Sequence, residues 1–410
     1  MTERTGTSQW TNWGKNQTFS PTNISKPRSE DEAIELMRRD ILAGNPLRVV
    51  GGGHSFSPIV ETAGSLFDLS GTERVFSVDA DTLEAVVAGG SRLSSVGEPL
   101  WAAGVSIANQ GDIDAQSVAG AIATGTKGSG IEYGSMSATV NRLRILNGRG
   151  EVVDIDESTP EWLKAGQVSL GLLGPVLRVG LKVVPAYYLR EELVVMPWSE
   201  VSERWDELLA DHHHFSFWWM PAERSHEMYK LPPTPKDHCF VKLLHKIPAG
   251  PSVVESDEPM RRTGRAYRMY PDGTTDAEFH ELEYMVGSNH ARDAVEAVRH
   301  LMLNTFTDAV SPFQVRWQKG DHALISPQSE RDSTSLSVSG EIGRDYWPFL
   351  RAVDAALSPF APRPHWGKVN FMDRVRAEAV YPHLDRFIKV RREMDPHGLF
   401  LNPYLSDIFA

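Results

Sequence analysis

Residues 29–43 place Ala33, Ile34, Leu36, Met37, Ile41 and Leu42 at near-helical spacing between polar residues, and the run stops at Gly44. That spacing predicts an amphipathic helix. A short apolar strand is expected at 47–50, with further strands at 66–69 and 83–89 and a helix at 93–103. Segments 140–146 and 151–155 flank Asn147-Gly148-Arg149-Gly150, which predicts a hairpin. A strand over 173–184 is stopped by Pro185. These elements form an irregular α+β block and not a regular βαβ series.

From Tyr188 the character changes. An aromatic strand is expected at 215–220, preceded by His212, His213 and His214, with further strands at 279–285 and 313–317. Helices are expected at 291–303 and 346–357, so this part reads as a sheet with helices on one face. Segments 231–235 and 248–259 read as loops, and 381–394 as a helix. The fold class is α+β with two domains.

Composition narrows the possibilities. At 410 residues the chain exceeds what one hydrophobic core usually supports. Hydrophobic residues at 41% and charged ones at 23% fit an ordinary soluble protein. No apolar run approaches the roughly 20 residues that cross a bilayer, and residues 1–9 lack an apolar signal core, which argues against secretion. Cys239 is the single cysteine, so an internal disulfide and a cysteine-based metal cluster are excluded and a reducing cytoplasm is expected. A net charge of −12 argues against nucleic acid as partner.

Val49-Val50-Gly51-Gly52-Gly53-His54-Ser55-Phe56 carries the first candidate chemistry. Its glycines let several backbone N–H groups converge on one anion, with a histidine beside it, which suggests a flavin dinucleotide site. A tight turn with a loop histidine bonded to backbone is the plain alternative. The loop runs into Ser57-Pro58, a poor helix start, so the strand-glycine-helix arrangement of a nicotinamide site does not fit. A second segment, 109–130, has small or hydroxyl residues at almost every position and reads as backbone laid against a flat ligand. The three successive histidines, read as part of a strand, point to alternating faces and cannot converge on a metal; no metal is expected.

These two segments, together with Arg363-Pro364-His365-Trp366-Gly367-Lys368 and the 395–404 tail Asp-Pro-His-Gly-Leu-Phe-Leu-Asn-Pro-Tyr, resemble the vanillyl-alcohol-oxidase (PCMH) type of FAD-dependent oxidoreductases. Within that family the chain is most similar to the alditol oxidases and the aldonolactone oxidases and dehydrogenases, from Thr11 to Tyr404. The resemblance implies a PCMH-type FAD-binding domain at 1–187, a cap domain for substrate at 188–362, and a segment at 363–410 that returns to the first domain. It implies a flavin bed made of Gly51, Gly52, Gly53, His54, Ser55, Phe56, Gln110, Gly111, Ser117, Gly120, Ala121, Thr124, Gly125, Gly128, Ser129, Gly174, Val176, His365 and Asn402. It also implies that His54 is bonded covalently to the 8α-methyl of the isoalloxazine.

The same resemblance places Lys368 beside the flavin ring, where a cation stabilises negative charge or touches the substrate oxygen. Relatives carry a Glu-x-Arg pair where this chain has Gln314 and Arg316. A neutral amide cannot act as a general base but can bond a polyol hydroxyl. Alternation sets Arg316 opposite Val315 and Trp317, facing a cavity if those two pack inward. Asp112, where alditol oxidase relatives carry serine and lactone-type relatives aspartate, is offered as a substitute base, with a turn cap as its alternative. Gly111 lies where relatives gate oxygen access and leans towards an oxidase. The expected activity is hydride transfer from a polyol, sugar or sugar-lactone alcohol to flavin N5, with O2 or another acceptor and no membrane partner. The rivals are oxidation of a glycoside, aminosugar or secondary-metabolite alcohol, and flavin binding without turnover.

Overall fold

The computed structural model describes residues 9–271 and 279–410; residues 1–8, in the segment read above for a signal core, lie outside it. In chain order the elements that position the site begin with β1 (Asn23–Ser25), α1 (Glu30–Leu42), β2 (Leu47–Val50) and β3 (Ser65–Asp68). The three strands form a parallel sheet, in the order β1-β3-β2. Next come β4 (Val75–Asp79), β5 (Glu84–Ala88), α2 (Leu93–Ala102), α3 (Val118–Ala123), β6 (Val140–Leu146), β7 (Val152–Ile155) and β8 (Val176–Lys182). Here the strands pair antiparallel in the order β7-β6-β8-β5-β4. Asn147 closes the expected hairpin: its side chain accepts from the N–H groups of Arg149 and Glu151, and Gly150 takes φ +75°.

The remainder builds one eight-stranded antiparallel sheet from β9 (Tyr187–Pro197), β10 (His214–Trp219), β11 (His238–Pro248), β12 (Thr263–Arg265), β13 (Phe279–Gly287), β14 (Phe313–Gln318), β15 (Ser333–Glu341) and β16 (Arg363–Pro364). Their spatial order is β12-β9-β11-β10-β14-β15-β13-β16. Three helices, Trp198–Asp211, Ala291–Asn304 and Trp347–Leu357, cover one face. That face is apolar: Phe215, Phe217 and Trp219 of β10, Val315 and Trp317 of β14, and Leu336 and Val338 of β15 pack with Val201, Trp205, Val295 and Leu350. Strand alternation then forces the intervening residues onto the opposite face. They are Ser216 and Trp218, Gln314 and Arg316, Ser335, Ser337 and Ser339, and Glu281 and Glu283.

Local chemistry departs from the sequence pattern at three places. The expected helix over 381–394 starts only at Leu384, and a separate helix, Arg374–Val380, precedes it. Pro382 disfavours helical geometry at Tyr381, which breaks the run. The strand expected from 173 begins at Val176, because Gly174 (φ +127°) approaches Leu146 O too closely for any Cβ. His212 caps a helix, and only His214 lies in a strand. His213 bonds Tyr270 Oη at 2.7 Å and His214 bonds Ser216 Oγ at 3.1 Å, so each has its own partner. The longest paired strands, β9 and β11, and the helices Pro160–Gln167 and Trp198–Asp211 were not anticipated.

The chain's end is stitched back to its start. Leu47 N donates to Leu399 O at 3.0 Å, and the buried Arg48 guanidinium donates to Phe400 O at 2.5 Å and to Leu170 O. Asp395 accepts from the N–H groups of Leu399 and Phe400, at 3.0 and 2.9 Å.

Candidate active site

A cavity of about 460 Å³ lies between the glycine loop and the polar face of the large sheet. One end is backbone and small residues. Gly51, Gly52 and Gly53 border it with His54, Ser55 and Phe56. A Cβ on Gly51 would lie 2.2 Å from Ser117 Oγ, and one on Gly52 would lie 2.5 Å from Ala115 O. The two small-residue segments therefore close on each other only because these positions lack side chains. Gly53 takes φ +69°, a conformation that favours glycine. The His54 ring stacks on Trp13 at 5.1 Å. Burial, with Lys368 and Arg92 nearby, pushes the imidazole down to about 4, so it is neutral at pH 7.

Gly111, Ser117, Gly120, Thr124, Gly174, Val176 and His365 also line this cavity. Six residues assigned to the flavin bed do not border it. Ala121 is fully buried in the core. Ser129 donates to Phe215 O and accepts from Trp317 N at 3.1 Å. Gly128 packs against Asn109 and Gln110, Gln110 is buried, and Gly125 turns at φ +76° beside Pro327. Asn402 caps the final helix and holds Pro58 O and Glu61 O at 2.8 and 3.0 Å. They lie behind the wall, and Ser129 and Asn402 spend their polar groups on backbone.

The opposite end is charged. Arg316 donates to Asp112 Oδ2 at 2.7 Å and to Glu283 Oε1 at 2.8 Å. Gln314 donates to the same Asp112 oxygen at 3.2 Å. Lys127, 2% exposed, pairs with the wholly buried Glu283 and bonds Ser335 Oγ at 3.0 Å. It is carried there by the 126–130 loop, whose Gly130 N donates to Trp317 O at 2.8 Å. Segment 365–369 runs along β13: His365 N donates to Glu283 O and Val369 N to Glu281 O, at 2.9 and 2.8 Å. That places Lys368 in contact with Glu281, whose other oxygen accepts from Ser337. Lys368 Nζ also sits 5.6 Å from the Phe56 ring centre, so this segment links the two ends of the cavity.

These pairings decide which groups can act as bases. Burial alone would raise the Asp112 carboxyl, but Arg316, with Lys242 and His214 beyond, outweighs it and holds the group at about 2. Asp112 is thus the counter-ion that fixes Arg316 and Gln314, and a poor proton acceptor, which weighs against the substitute-base reading offered from sequence. Glu283 is desolvated too, yet Lys127 and Arg316 keep it well below the usual carboxylate range. Burial and Arg316 lower Lys127 to about 8 against the opposing pull of Glu283. Burial presses His365 down to about 3 despite Glu283.

Lys127, Glu281, Glu283 and the serines of β15 were missed from sequence. Their signal was period two: Glu281-x-Glu283, and Ser333-x-Ser335-x-Ser337-x-Ser339 alternating with Thr334, Leu336 and Val338. A strand buried on both sides that alternates apolar with ionisable residues marks a polar site on one face.

The family comparisons agree with this geometry. An FAD binding domain matches residues 21–156, and the D-arabinono-1,4-lactone oxidase family matches 179–247 and 254–408. L-gulono-1,4-lactone dehydrogenase of Mycobacterium tuberculosis is 31% identical across 98% of this chain and 99% of its own. L-gulonolactone oxidase of Bos taurus is 27% identical, covering 97% of each chain. Alditol oxidase of a Streptomyces species is 28% identical, covering 97% of this chain and 98% of its own. A cholesterol oxidase from B. sterolicum superposes with a TM-score of 0.85 over 98% of this chain and 97% of that one, at 14% identity, and shares the fold. The protein is therefore an FAD-dependent oxidoreductase acting on CH–OH donors. More narrowly, the chain belongs to the D-arabinono-1,4-lactone oxidase family. No helix among the described residues is long and apolar enough to cross a membrane.

Proposed function

We propose that this chain oxidises a primary or secondary alcohol of a polyol, sugar or sugar lactone, with O2 or another acceptor taking the electrons. The observation that carries this is a cavity in which a bed of glycines and small residues faces a floor of Gln314, Arg316, Lys368, Glu281 and Glu283. The glycine loop at 51–53 borders the cavity and suits a dinucleotide's pyrophosphate, because backbone N–H groups can converge on an anion there and a Cβ at 51 or 52 would push the loop off the facing 115–117 segment. FAD, when bound, supplies the hydride acceptor. Lys368 and Arg316 hold the reacting oxygen, and Gln314 bonds a neighbouring hydroxyl. The relatives, a lactone dehydrogenase, a lactone oxidase and an alditol oxidase, support the substrate class.

Neutral His54 at the cavity wall is suited to a covalent bond with the flavin, since only an unprotonated imidazole is a nucleophile. The bed at 1–187, the cap sheet at 188–362 and the returning segment at 363–410 form the working units of this proposal, and the buried lone Cys239 suits a cytoplasmic setting. Gly111 borders the cavity, although a Cβ there would already meet Thr126 Cγ2 at 3.1 Å, so added bulk would narrow any path for oxygen. The test is anaerobic bleaching of the flavin, and oxygen uptake, across alditols, aldoses and aldonolactones. Bleaching without oxygen uptake marks a dehydrogenase, and no bleaching by any member rejects the proposed substrates. Acid denaturation reports the bond to His54: colour retained on the polypeptide means covalent, colour in the supernatant means not.

A further inference from the structure

The reaction removes a hydroxyl proton, and the candidates expected from sequence cannot receive it well. Gln314 is neutral, and Asp112 is tied to Arg316 and Gln314. Glu283 lies between Lys127 and Arg316, two cations on one oxygen. Glu281 differs from Glu283 in facing one cation, and from Asp112 in that its two partners fall on different oxygens, whereas Arg316 and Gln314 crowd one oxygen of Asp112. It borders the same cavity, is 7% exposed, and is held by one cation, Lys368, and one neutral hydroxyl, Ser337. An ionised carboxylate has about four acceptor positions; among the described residues two are taken.

Its position is fixed. Glu281 pairs with Ser339 across β13 and β15, and its own carbonyl accepts from Val369, one residue beyond Lys368. Tyr229 braces the same edge by bonding Ser339 Oγ at 2.6 Å.

We propose that Glu281 is the general base of this site, and the inference rests on the proposed alcohol oxidation. As the carbinol C–H bond breaks, its electron pair passes to the flavin as hydride. The O–H bond breaks, its proton goes to a Glu281 oxygen, and the C–O single bond becomes C=O. Lys368 stays charged throughout, holding the substrate oxygen while Glu281 becomes neutral. The two act as a pair on adjoining backbone segments, in place of the carboxylate that position 314 lacks.

The test uses the flavin-loaded protein and stopped-flow anaerobic reduction by L-gulono-1,4-lactone and xylitol. Failure of the wild-type protein to be reduced by either probe removes the alcohol-oxidation reading for these substrates and the proposal with it. Given wild-type reduction, Glu281→Gln keeps the shape and a hydrogen bond to Lys368. It is expected to slow reduction by about 10²–10⁴-fold. Flavin content should be unchanged, and the probe's dissociation constant, read from perturbation of the flavin spectrum, should move less than about threefold. Glu281→Ala should regain part of its rate with added formate, a response that loss of mere positioning would not give. Near-wild-type reduction in Glu281→Gln would overturn the proposal. So would a slow Glu281→Ala that formate leaves unchanged, or a large loss confined to Glu283→Gln.

Discussion

The two ends of the cavity solve opposite problems. The glycine bed removes side chains so that backbone can approach a large flat ligand, and its residues come in two local runs, 51–56 and 109–130, the second of which also carries Asp112 and Lys127 to the floor. The floor concentrates side chains, and they come from four places: Asp112 and Lys127 in the loops, Glu281 and Glu283 on β13, Gln314 and Arg316 on β14, and Lys368 after β16. A bed can be changed one clash at a time, whereas a buried ion network fails as a unit, because taking one partner leaves the others desolvated and uncompensated. The difference teaches where cofactor loss and protein unfolding should separate.

Arg316→Met should give the largest effect. It strips both Asp112 and Glu283 of their shared cation, and breaking a buried pair costs about 3–5 kcal/mol. Thermal unfolding should show a fall of many degrees, with flavin still bound below the transition; an unchanged melting temperature would mean the network is not a stability element. Gly52→Val should do the reverse. Its side chain meets the Ala115 carbonyl, a backbone atom that cannot swing aside, and forced overpacking costs about 1–3 kcal/mol. Purified protein should remain folded by circular dichroism but carry little flavin. Full flavin occupancy in this variant would mean that the loop adjusts and is not the bed.

Acidification should separate the ends by pH. Folding lowers His54 and His213 to about 4 and His365 to about 3, against 6.5 in the open chain, in each case chiefly through burial. Between pH 6.5 and 4 the unfolded chain therefore holds protons that the folded one refuses, so stability is full above pH 6.5 and is lost as pH falls. For the buried His365 the slope reaches at most about 1.4 kcal/mol per pH unit. The Asp112 and Glu283 carboxyls, lowered on folding, lose their contribution only as pH drops below about 4. A melting-temperature profile from pH 8 to 3.5 should begin to fall below 6.5, and His365→Asn should make that first limb shallower. A flat profile down to pH 4.5 would show these rings to be charged in the fold.

Legibility followed the same division. The bed could be read from sequence because glycine and small-residue runs are local, and a tight loop must be built from neighbours. The strand carrying Gln314 and Arg316 was legible too, since Val315 and Trp317 fix which face each residue takes. Glu281 and Glu283 were not. Their meaning depends on β15 lying between β13 and β14, so that Ser337 sits opposite both Glu283 and Gln314, and register between distant strands is set by the whole sheet. Asp112 was found but its pairing with Arg316 was not, and a carboxylate's basicity depends on who faces it. Arg316 arrives from 204 residues away.

The smallest expected effect probes that last dependence. From sequence, Gln314→Glu should restore the pattern of the relatives and favour ordinary alditols or aldonolactones. The structure adds a condition, because residue 314 lies 3.2 Å from an Asp112 oxygen. A glutamate there would bring a third carboxylate to the Arg316 cluster, beside Asp112 and Glu283, and like charges at that range raise one of their pKa values and weaken the grip on Arg316. Gln314→Glu alone should therefore melt lower and turn over alditols poorly, while any activity it keeps should be on aldonolactones, because it reproduces the aspartate and Glu-x-Arg set of the lactone-type relatives. Adding Asp112→Ser, the residue of the alditol-type relatives, removes the conflict and leaves a single carboxylate for a substrate hydroxyl. A charged acceptor improves on a neutral one by about 1 kcal/mol, roughly fivefold. The double variant should regain the wild-type melting temperature and shift kcat/KM towards free alditols by about that factor. If the single variant already shows the shift with no loss of stability, Asp112 and residue 314 are not coupled, and the floor is less of a unit than its hydrogen bonds indicate.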